Sequence, residues 1–576
     1  MLYFYAGVLL VVLASLSGWG QLLARDWRRP MPGFGERAVL GLLPFTAFGL
    51  LASFAMPLGD RSSAAALLIG LVLLLLSALR SPRSLLGAHP WRLAAILALL
   101  AMFAAVGSVA TAFSYDTGLY HLQAISWVEH HRRVFGLANL HVRFGFNSIW
   151  LVDAALLDIE RPARYGPFLL NAALYLAIVA AMTEALIRRE AGARGAAVSR
   201  IYGWAMVAIL MADARYLLFD SLSASPSYDT PAALLSLYAV WLFLRLFEKD
   251  CAADRAPGLV ALTVVAALGV MAKLSSLPIL LLPLMAALAL RRDGLALPKT
   301  LRQPGMALLA LCVLAWLATG IASSGCLAFP ATSSCISGLP WNVPADMTRL
   351  TAETVTGWAR SPTDGYLAAA TGWGWLADWP TTVLAHRPFL LPLSASSAFL
   401  LLLIAGAIVI DRARPNGRAA RRRAEETACL AALAAMGVGI LFWFFLAPDP
   451  RFGLGFLLAP LPLAAAWAAT RWAPDGVAIQ RLCGGWVVTA LIVLAAGIYI
   501  VVDWKPAESR LGSWPSFPQP ELHRVALGPD FLSFEPKLDQ CWDAPSPCTP
   551  RGSASPALAN GSFLIWRTIE SHEPAE

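Results

Sequence analysis

Phe113-Ser-Tyr-Asp-Thr-Gly-Leu-Tyr-His121 and, further along the same polar stretch, Asn139-Leu-His-Val-Arg-Phe-Gly-Phe-Asn-Ser148 decide how this chain is read. They follow an apolar run of membrane-spanning length, 93–112, and further apolar runs lie on both sides. Hydrocarbon offers no partner to unpaired backbone groups, so a long polar segment in such a chain must sit in water or at the membrane surface. Its Asp116, Tyr120, His121, His130, His131, Arg132, Arg133, His141, Arg143 and Asn147 are then not there to fill a core.

The wider composition agrees. Hydrophobic residues make up 58% of the 576 and charged residues only 14%, against about 25% in soluble domains. The apolar residues fall in blocks of about 20, enough to cross a ~30 Å hydrocarbon core. The reading is an all-α polytopic membrane protein, with spans expected near 2–24, 38–58, 63–79, 93–112, 165–187, 201–219, 229–247, 258–273, 275–290, 305–324, 388–410, 428–447, 453–470 and 484–503. The first run lacks the basic start of a signal peptide and reads as a span with its N-terminus outside. A net charge of +8 would suggest a nucleic-acid partner in a soluble protein. Here most arginines sit in short connections, 25–37, 80–92, 188–200, 291–304 and 411–425, where they set orientation, and no nucleic acid is expected.

With those connections cytoplasmic, the segments 113–164, 220–228, 325–387 and 448–452 and the tail 504–576 face outward. The segment 258–290 is too long for one span and has basic flanks at both ends. Two helices folding back near Lys273-Leu-Ser-Ser276 satisfy both facts. Loop 325–387 carries Trp341, Trp358, Trp373, Trp375 and Trp379, suited to headgroup anchoring or to stacking on sugar rings. Cys326 and Cys335 share one outer segment and Cys541 and Cys548 another, so two disulfides of an oxidising periplasm are expected. No Cys-x-x-Cys pair is present, so no zinc site is expected. The divisions are N-terminal spans 1–92, a core 93–503 and a small outer appendage 504–576.

Each polar residue has two readings. Asp116 precedes an expected helix, 117–131, whose Leu119, Leu122, Ile125 and Val128 form an apolar face suited to lying along the membrane. Asp116 either caps that helix or does chemistry. The stretch 149–157 is too short to span, contains Asp153 and reads as a helix that dips in and returns. Lys273 either snorkels to water or holds a phosphate. Asp449 and Arg451, in Ala447-Pro-Asp-Pro-Arg-Phe-Gly453, either close a tight turn or present charge outward. Asp229 either caps a span or adds another outward acid. Acids and bases gathered at a lipid boundary suit a substrate with a phosphate and a lipid tail. The cations would neutralise the phosphate, and a carboxylate would take a proton from an acceptor hydroxyl.

The layout resembles the GT-C superfamily of polytopic glycosyltransferases, which use polyprenyl-phosphate-linked sugars and carry an essential acid in the first large outer loop, at the end of a span. Asp116 in Ser-Tyr-Asp-Thr-Gly-Leu-Tyr-His occupies that place. More closely, Tyr-Asp-Thr-Gly-Leu-Tyr-His, Asn-Leu-His-x-Arg-x-Gly-Phe-Asn-Ser, Pro-Asp-Pro-Arg-Phe-Gly and Cys-Trp-Asp-Ala-Pro-x-Pro-Cys-Thr-Pro resemble a family of bacterial membrane proteins without assigned activity. The superfamily resemblance implies a GT-C-like core and transfer at the periplasmic face of the inner membrane to a glycan, lipid or protein acceptor. Asp116 would act as base, with Tyr120, His121, Arg143, Asn147, Asp229, Lys273, Asp449 and Arg451 around the substrate. The chain departs from that pattern in two ways. Three spans precede the loop-bearing one, which reads as an N-terminal addition. The acid is a lone Asp followed by Thr-Gly, a poor divalent site, so metal dependence stays open. The alternatives are a transporter or flippase for lipid-linked glycans and a non-catalytic assembly protein.

Overall fold

Long apolar runs have only their own backbone to satisfy their amides, and helices follow. A computed structural model describes residues 2–24, 32–80, 90–110, 114–159, 166–187, 198–212, 225–248, 252–363, 365–386, 420–472, 485–508, 517–526, 532–549, 554–559 and 563–568. Among these residues, 10 helices are long and apolar enough to cross a membrane. They are Leu2–Ala24, Phe34–Ala55, Asp60–Arg80, Phe168–Ile187, Asp229–Phe247, Arg255–Ala272, Leu274–Arg292, Pro304–Ser324, Ala424–Leu446 and Pro450–Ala468. Leu93–Val106, Val198–Met211 and Ile492–Val502 are apolar but shorter. The chain is thus a helical polytopic membrane protein. The expected span 388–410 lies outside the described residues.

Packing explains the association. The Leu2–Trp19 helix lies against Phe34–Ala55 and Asp60–Arg80. A Cβ on Gly18 would overlap the Gly70 carbonyl, and one on Gly41 would overlap that of Leu16. Lipid is as apolar as a leucine side chain, so helices in it associate by close backbone approach at small residues rather than by burying oil. The opposite face of Asp60–Arg80 leaves Leu68, Ile69, Val72, Leu75, Leu76 and Leu79 exposed, a surface fit for acyl chains. One apolar core runs continuously from Leu2 to Phe517, so the first three helices share it with the rest.

The expected hairpin forms. Ala252–Ala272 ends where Lys273 turns extended (φ −154°, ψ 125°), a 3-10 segment Leu274–Leu280 follows, and Leu281–Arg292 packs back on the first helix. At that break the Lys273 side chain meets Asp229 and the Phe452 ring.

The loop after the Pro90–Ala110 helix departs from the expected surface helix. Thr117–His121 is a π turn, and Leu122–His130 is a regular helix of 9 residues. Leu119, Leu122 and Ile125 do share an apolar face, but they are buried in the protein. Ser148 caps Ile149–Ala155, which is buried throughout, and Asp153 accepts a 2.8 Å hydrogen bond from Thr46 of Phe34–Ala55.

The tail contains strands that were not expected. It forms β1 (Leu522–Ala526) antiparallel to β2 (Leu532–Pro536), with Leu522 opposite Pro536, and β3 (Ala554–Ala559) antiparallel to β4 (Phe563–Thr568). Short alternating apolar bits among Pro and Ser gave too little period-2 signal to read as strands. Both expected disulfides are present, Cys326–Cys335 and Cys541–Cys548. The second closes a loop that docks on the 114–140 segment. Trp542 N donates to Gly118 O (2.9 Å), Gln123 Nε2 to Ala544 O (2.8 Å) and Thr549 Oγ1 to Leu140 O (3.1 Å).

Candidate functional site

Six charged side chains from five separated parts of the chain meet beside the π turn. Asp116 accepts from Arg143 Nη1 at Oδ1 (3.2 Å) and from Arg451 Nη1 at Oδ2 (3.0 Å). Arg451 Nε donates to Asp449 Oδ2 (3.1 Å) and lies 3.9 Å from Asp229 Oδ2. Lys273 pairs with Asp229. Three carboxylates thus face three cations, and the formal charge cancels.

Local structure explains each position. Asp116 does not cap the turn that follows: it is itself helical (φ −64°, ψ −23°) and makes no cap hydrogen bond, so its carboxylate is free to reach the arginines. Asp449 does cap, accepting from Arg451 N (3.0 Å) at the start of Pro450–Leu458. The closed-turn reading of Asp449 and Arg451 therefore holds, yet Arg451 also extends beyond it to Asp116. Asp229 is the first residue of its helix, where the N-terminal end of the dipole favours an anion. Trp443 Nε1 donates to Asp449 O (2.6 Å) and Trp379 Nε1 to Pro448 O (3.1 Å), so these indoles brace the turn. Trp358 and Trp373 stay exposed.

Aromatic rings line the cluster. Arg143 stands over the Tyr120 ring at 5.5 Å, and Lys273 over Phe452 at 3.5 Å. Tyr120 and Tyr228 share a 2.7 Å hydroxyl hydrogen bond, and burial pushes both phenols up. His121 packs on both rings. Its Nδ1 is buried and has no hydrogen-bond partner among the described residues. Burial drives its imidazole down to about 4, against the pull of Asp116 and Asp229, so it is neutral at pH 7. Ser114, Thr117 and Ser225 tie the π turn to the segment before Asp229, at 2.7–2.8 Å to the Ser225 hydroxyl.

Electrostatics defines what Asp116 does at rest. Burial pushes its carboxyl up, but Arg451, with His121 and Arg143, outweighs burial and holds it at about 2. A depressed carboxyl stabilises the fold above its unfolded value near 3.8, and that contribution is lost as pH falls toward 2. A carboxylate so held is a weak base. Exposure differs across the cluster: the Arg143 side chain is 33% accessible, against 15% for Lys273. Burial, opposed by Asp229, also pulls the Lys273 ammonium down.

Of the residues expected at the site, Asp116, Tyr120, His121, Arg143, Asp229, Lys273, Asp449 and Arg451 come together. Asn147 does not. It donates to Trp316 O (2.6 Å) and accepts from Thr319 Oγ1 (2.8 Å), fastening the loop to Pro304–Ser324. Tyr228, Phe452 and Ser225 belong to the site without having been expected. Tyr228 and Ser225 adjoin Asp229 in Ser-Pro-Ser-Tyr-Asp, and Phe452 follows Arg451, so adjacency was the one signal for them. Among the described residues, no group of three or more His, Cys, Asp and Glu is arranged to hold a metal ion.

Gly118 sets how closely the tail approaches. A Cβ there would overlap the Trp542 ring. Gly118→Ala is therefore expected to unseat the 541–548 loop. Limited proteolysis should then cut the tail several-fold faster, and an unchanged rate would show that the docking does not depend on this glycine.

No curated protein matches the chain. Residues 1–458 match the model of a family described as Domain of unknown function (DUF8201), a range that holds all six charged members of the cluster. The match takes in most of the chain, which therefore belongs to the DUF8201 family.

Proposed function

We propose that the protein is a membrane glycosyltransferase that moves a sugar from a polyprenyl-phosphate donor to an envelope glycan, lipid or protein acceptor. In this reading its helices form a GT-C-like core of about 14 spans in the inner membrane, with the ion cluster on the periplasmic side. The observation that carries the reading is the meeting of Asp116 with two arginines, Asp229 and Lys273 beside a helix-dense, lipid-facing bundle. Because the cations are already paired, a donor phosphate must compete with a carboxylate. Arg143 is the most accessible of the three cations and so the one best placed to change partner. Once Arg143 turns to the phosphate, one restraint on the Asp116 carboxyl is gone and a negative charge has arrived. Arg451 still holds the other carboxylate oxygen, so the exchange moves the Asp116 pKa upward from about 2 and makes it a better base than at rest. The acceptor oxygen attacks the anomeric carbon, the bond to the lipid phosphate breaks with its electron pair leaving on phosphate, and the hydroxyl proton passes to Asp116.

A non-catalytic assembly role is favoured by one fact: both Asp116 oxygens are occupied by arginines. The purified protein in lipid nanodiscs, given radiolabelled polyprenyl-phosphate sugars and membrane extract, separates the two. Labelled acceptor is the expected result. Its absence, together with unchanged surface glycan in a deletion strain, overturns transfer. The orientation is checked by cysteine labelling at Gly417 and Ser553, which should react from opposite sides.

A further inference from the structure

We infer that a cavity beside Arg133, separate from the ion cluster, is a binding site for a phosphate group. The reasoning does not depend on the transfer reading. A cavity of about 50 Å³ lies between the end of Phe34–Ala55, the Leu122–His130 helix and the segment 144–152. By the same measure a water needs roughly 10–15 Å³, so a tetrahedral anion fits. His131, Arg132 and Arg133 form the basic part of its wall, Ser53, Asn147, Ser148 and Ser323 add neutral polar groups, and Phe144, Leu151 and Val152 form part of the apolar wall. Arg143 reaches the cluster, whereas Phe144, Phe146 and Asn147 line the cavity, and the Tyr120 and Phe146 rings, 6.3 Å apart, stand between the two.

The guanidinium of Arg133 is the reason to expect an anion. It donates from Nη2 to Ser53 Oγ (2.9 Å), and its backbone N donates to Ser53 O (2.8 Å). Its Nε is sealed from solvent and bonds to nothing. Among the described residues no carboxylate pairs with it, and burial alone pulls it down to about 10. The Phe54 ring lies 5.8 Å from it. This contrasts with Arg143 and Arg451, each of which holds a carboxylate. Arg133 is half-buried, with its Nε sealed and no described carboxylate beside it, and such a guanidinium favours an anion in the adjoining cavity. The planar fork of arginine matches phosphate geometry. His131 lies tilted against Trp127, with ring centroids 4.8 Å apart, and burial and His130 pull its imidazole down.

The phosphate has two possible sources, a phospholipid headgroup or a soluble phosphate. The Ser53 end of a membrane-spanning helix puts the cavity level with headgroups, so a lipid source is the one expected. The full-length protein is reconstituted in phosphatidylcholine nanodiscs containing one-tenth phosphatidylglycerol, and retained phosphatidylglycerol is counted by native mass spectrometry. A parallel arm measures inorganic phosphate by equilibrium dialysis. Wild type should retain about one phosphatidylglycerol per chain, and Arg133→Gln should lose it by at least tenfold. Arg143→Gln should retain it. Phosphate bound in dialysis with no lipid retained would keep the site and assign the soluble source. Should Arg133→Gln fail to fold, Leu151→Phe fills the cavity and should abolish binding while leaving Arg133 in place. Retention unchanged in a folded Arg133→Gln or Leu151→Phe protein, or neither probe bound by wild type, overturns the site.

Discussion

Asp116→Asn is expected to lower transfer by 10²–10⁴-fold while the protein stays folded, because the amide keeps the shape of the carboxylate but takes no proton. The loss corresponds to about 3–5 kcal/mol of barrier. The substitution also removes the negative partner of Arg143 and Arg451, and charge-assisted hydrogen bonds of this kind are worth about 1.5–3 kcal/mol each, so some stability falls with it. Activity and stability together therefore distinguish the two roles. A base loses turnover far beyond its stability cost, whereas a purely structural Asp116 loses stability at full turnover per folded molecule. The pH profile adds a sharper test. With the resting carboxyl near 2, kcat/KM should show no acid limb from Asp116 above about pH 4. If substrate phosphate diverts Arg143, the acid limb of kcat moves to higher pH. Coincident limbs in the two profiles would sink the partner exchange.

Arg451→Met should be the most destabilising single change in the cluster. Arg451 touches Asp116 and Asp449 directly and approaches Asp229 at 3.9 Å, and its side chain is 25% accessible. Removing it leaves carboxylates without their main counter-charge. Breaking a buried pair by deleting one partner costs about 3–5 kcal/mol. Thermal unfolding in nanodiscs should show a clear fall in Tm, smaller at low pH where the freed carboxylates protonate. Arg451→Lys should recover part of the loss, since an ammonium keeps the charge but cannot fork to two acids. A Tm for Arg451→Met equal to wild type would mean that the cluster contributes nothing to the fold.

Much of this arrangement was legible in the sequence, and for physical reasons. Ionisable residues at the ends of apolar runs have few places to go, so Asp116, Asp229, Lys273 and Arg451 pointed to one layer before any contact was known. The pairing of Cys326 with Cys335 and of Cys541 with Cys548 was legible too. What the sequence withheld was the rotation of each helix about its own axis and the partner on each face. The apolar face of Leu119, Leu122 and Ile125 was visible, but not that protein covers it instead of lipid. Asn147 lies in the same motif as Arg143, yet the 3-10 turn Val142–Gly145 sends the two to different neighbours. The pairing of the cations was hidden too, because span order alone does not say which acid meets which base. The docking of Trp542 on Gly118 joins residues so far apart that local pattern carries no trace of it.

The contact between Arg451 and Asp116 bridges 335 residues, and it has a bearing on how the chain is made. Synthesis delivers Asp116 early and Arg451 late. Until the turn at 448–452 emerges, the growing protein carries Asp116 with one arginine rather than two, and Asp229 with Lys273 alone. The final lock therefore arrives only after the helices from Leu2–Trp19 through Ala420–Leu446 have been delivered to the membrane. A chain cut short before that turn lacks Arg451 and Asp449, and Asp116 and Asp229 are then left with Arg143 and Lys273 as their cations.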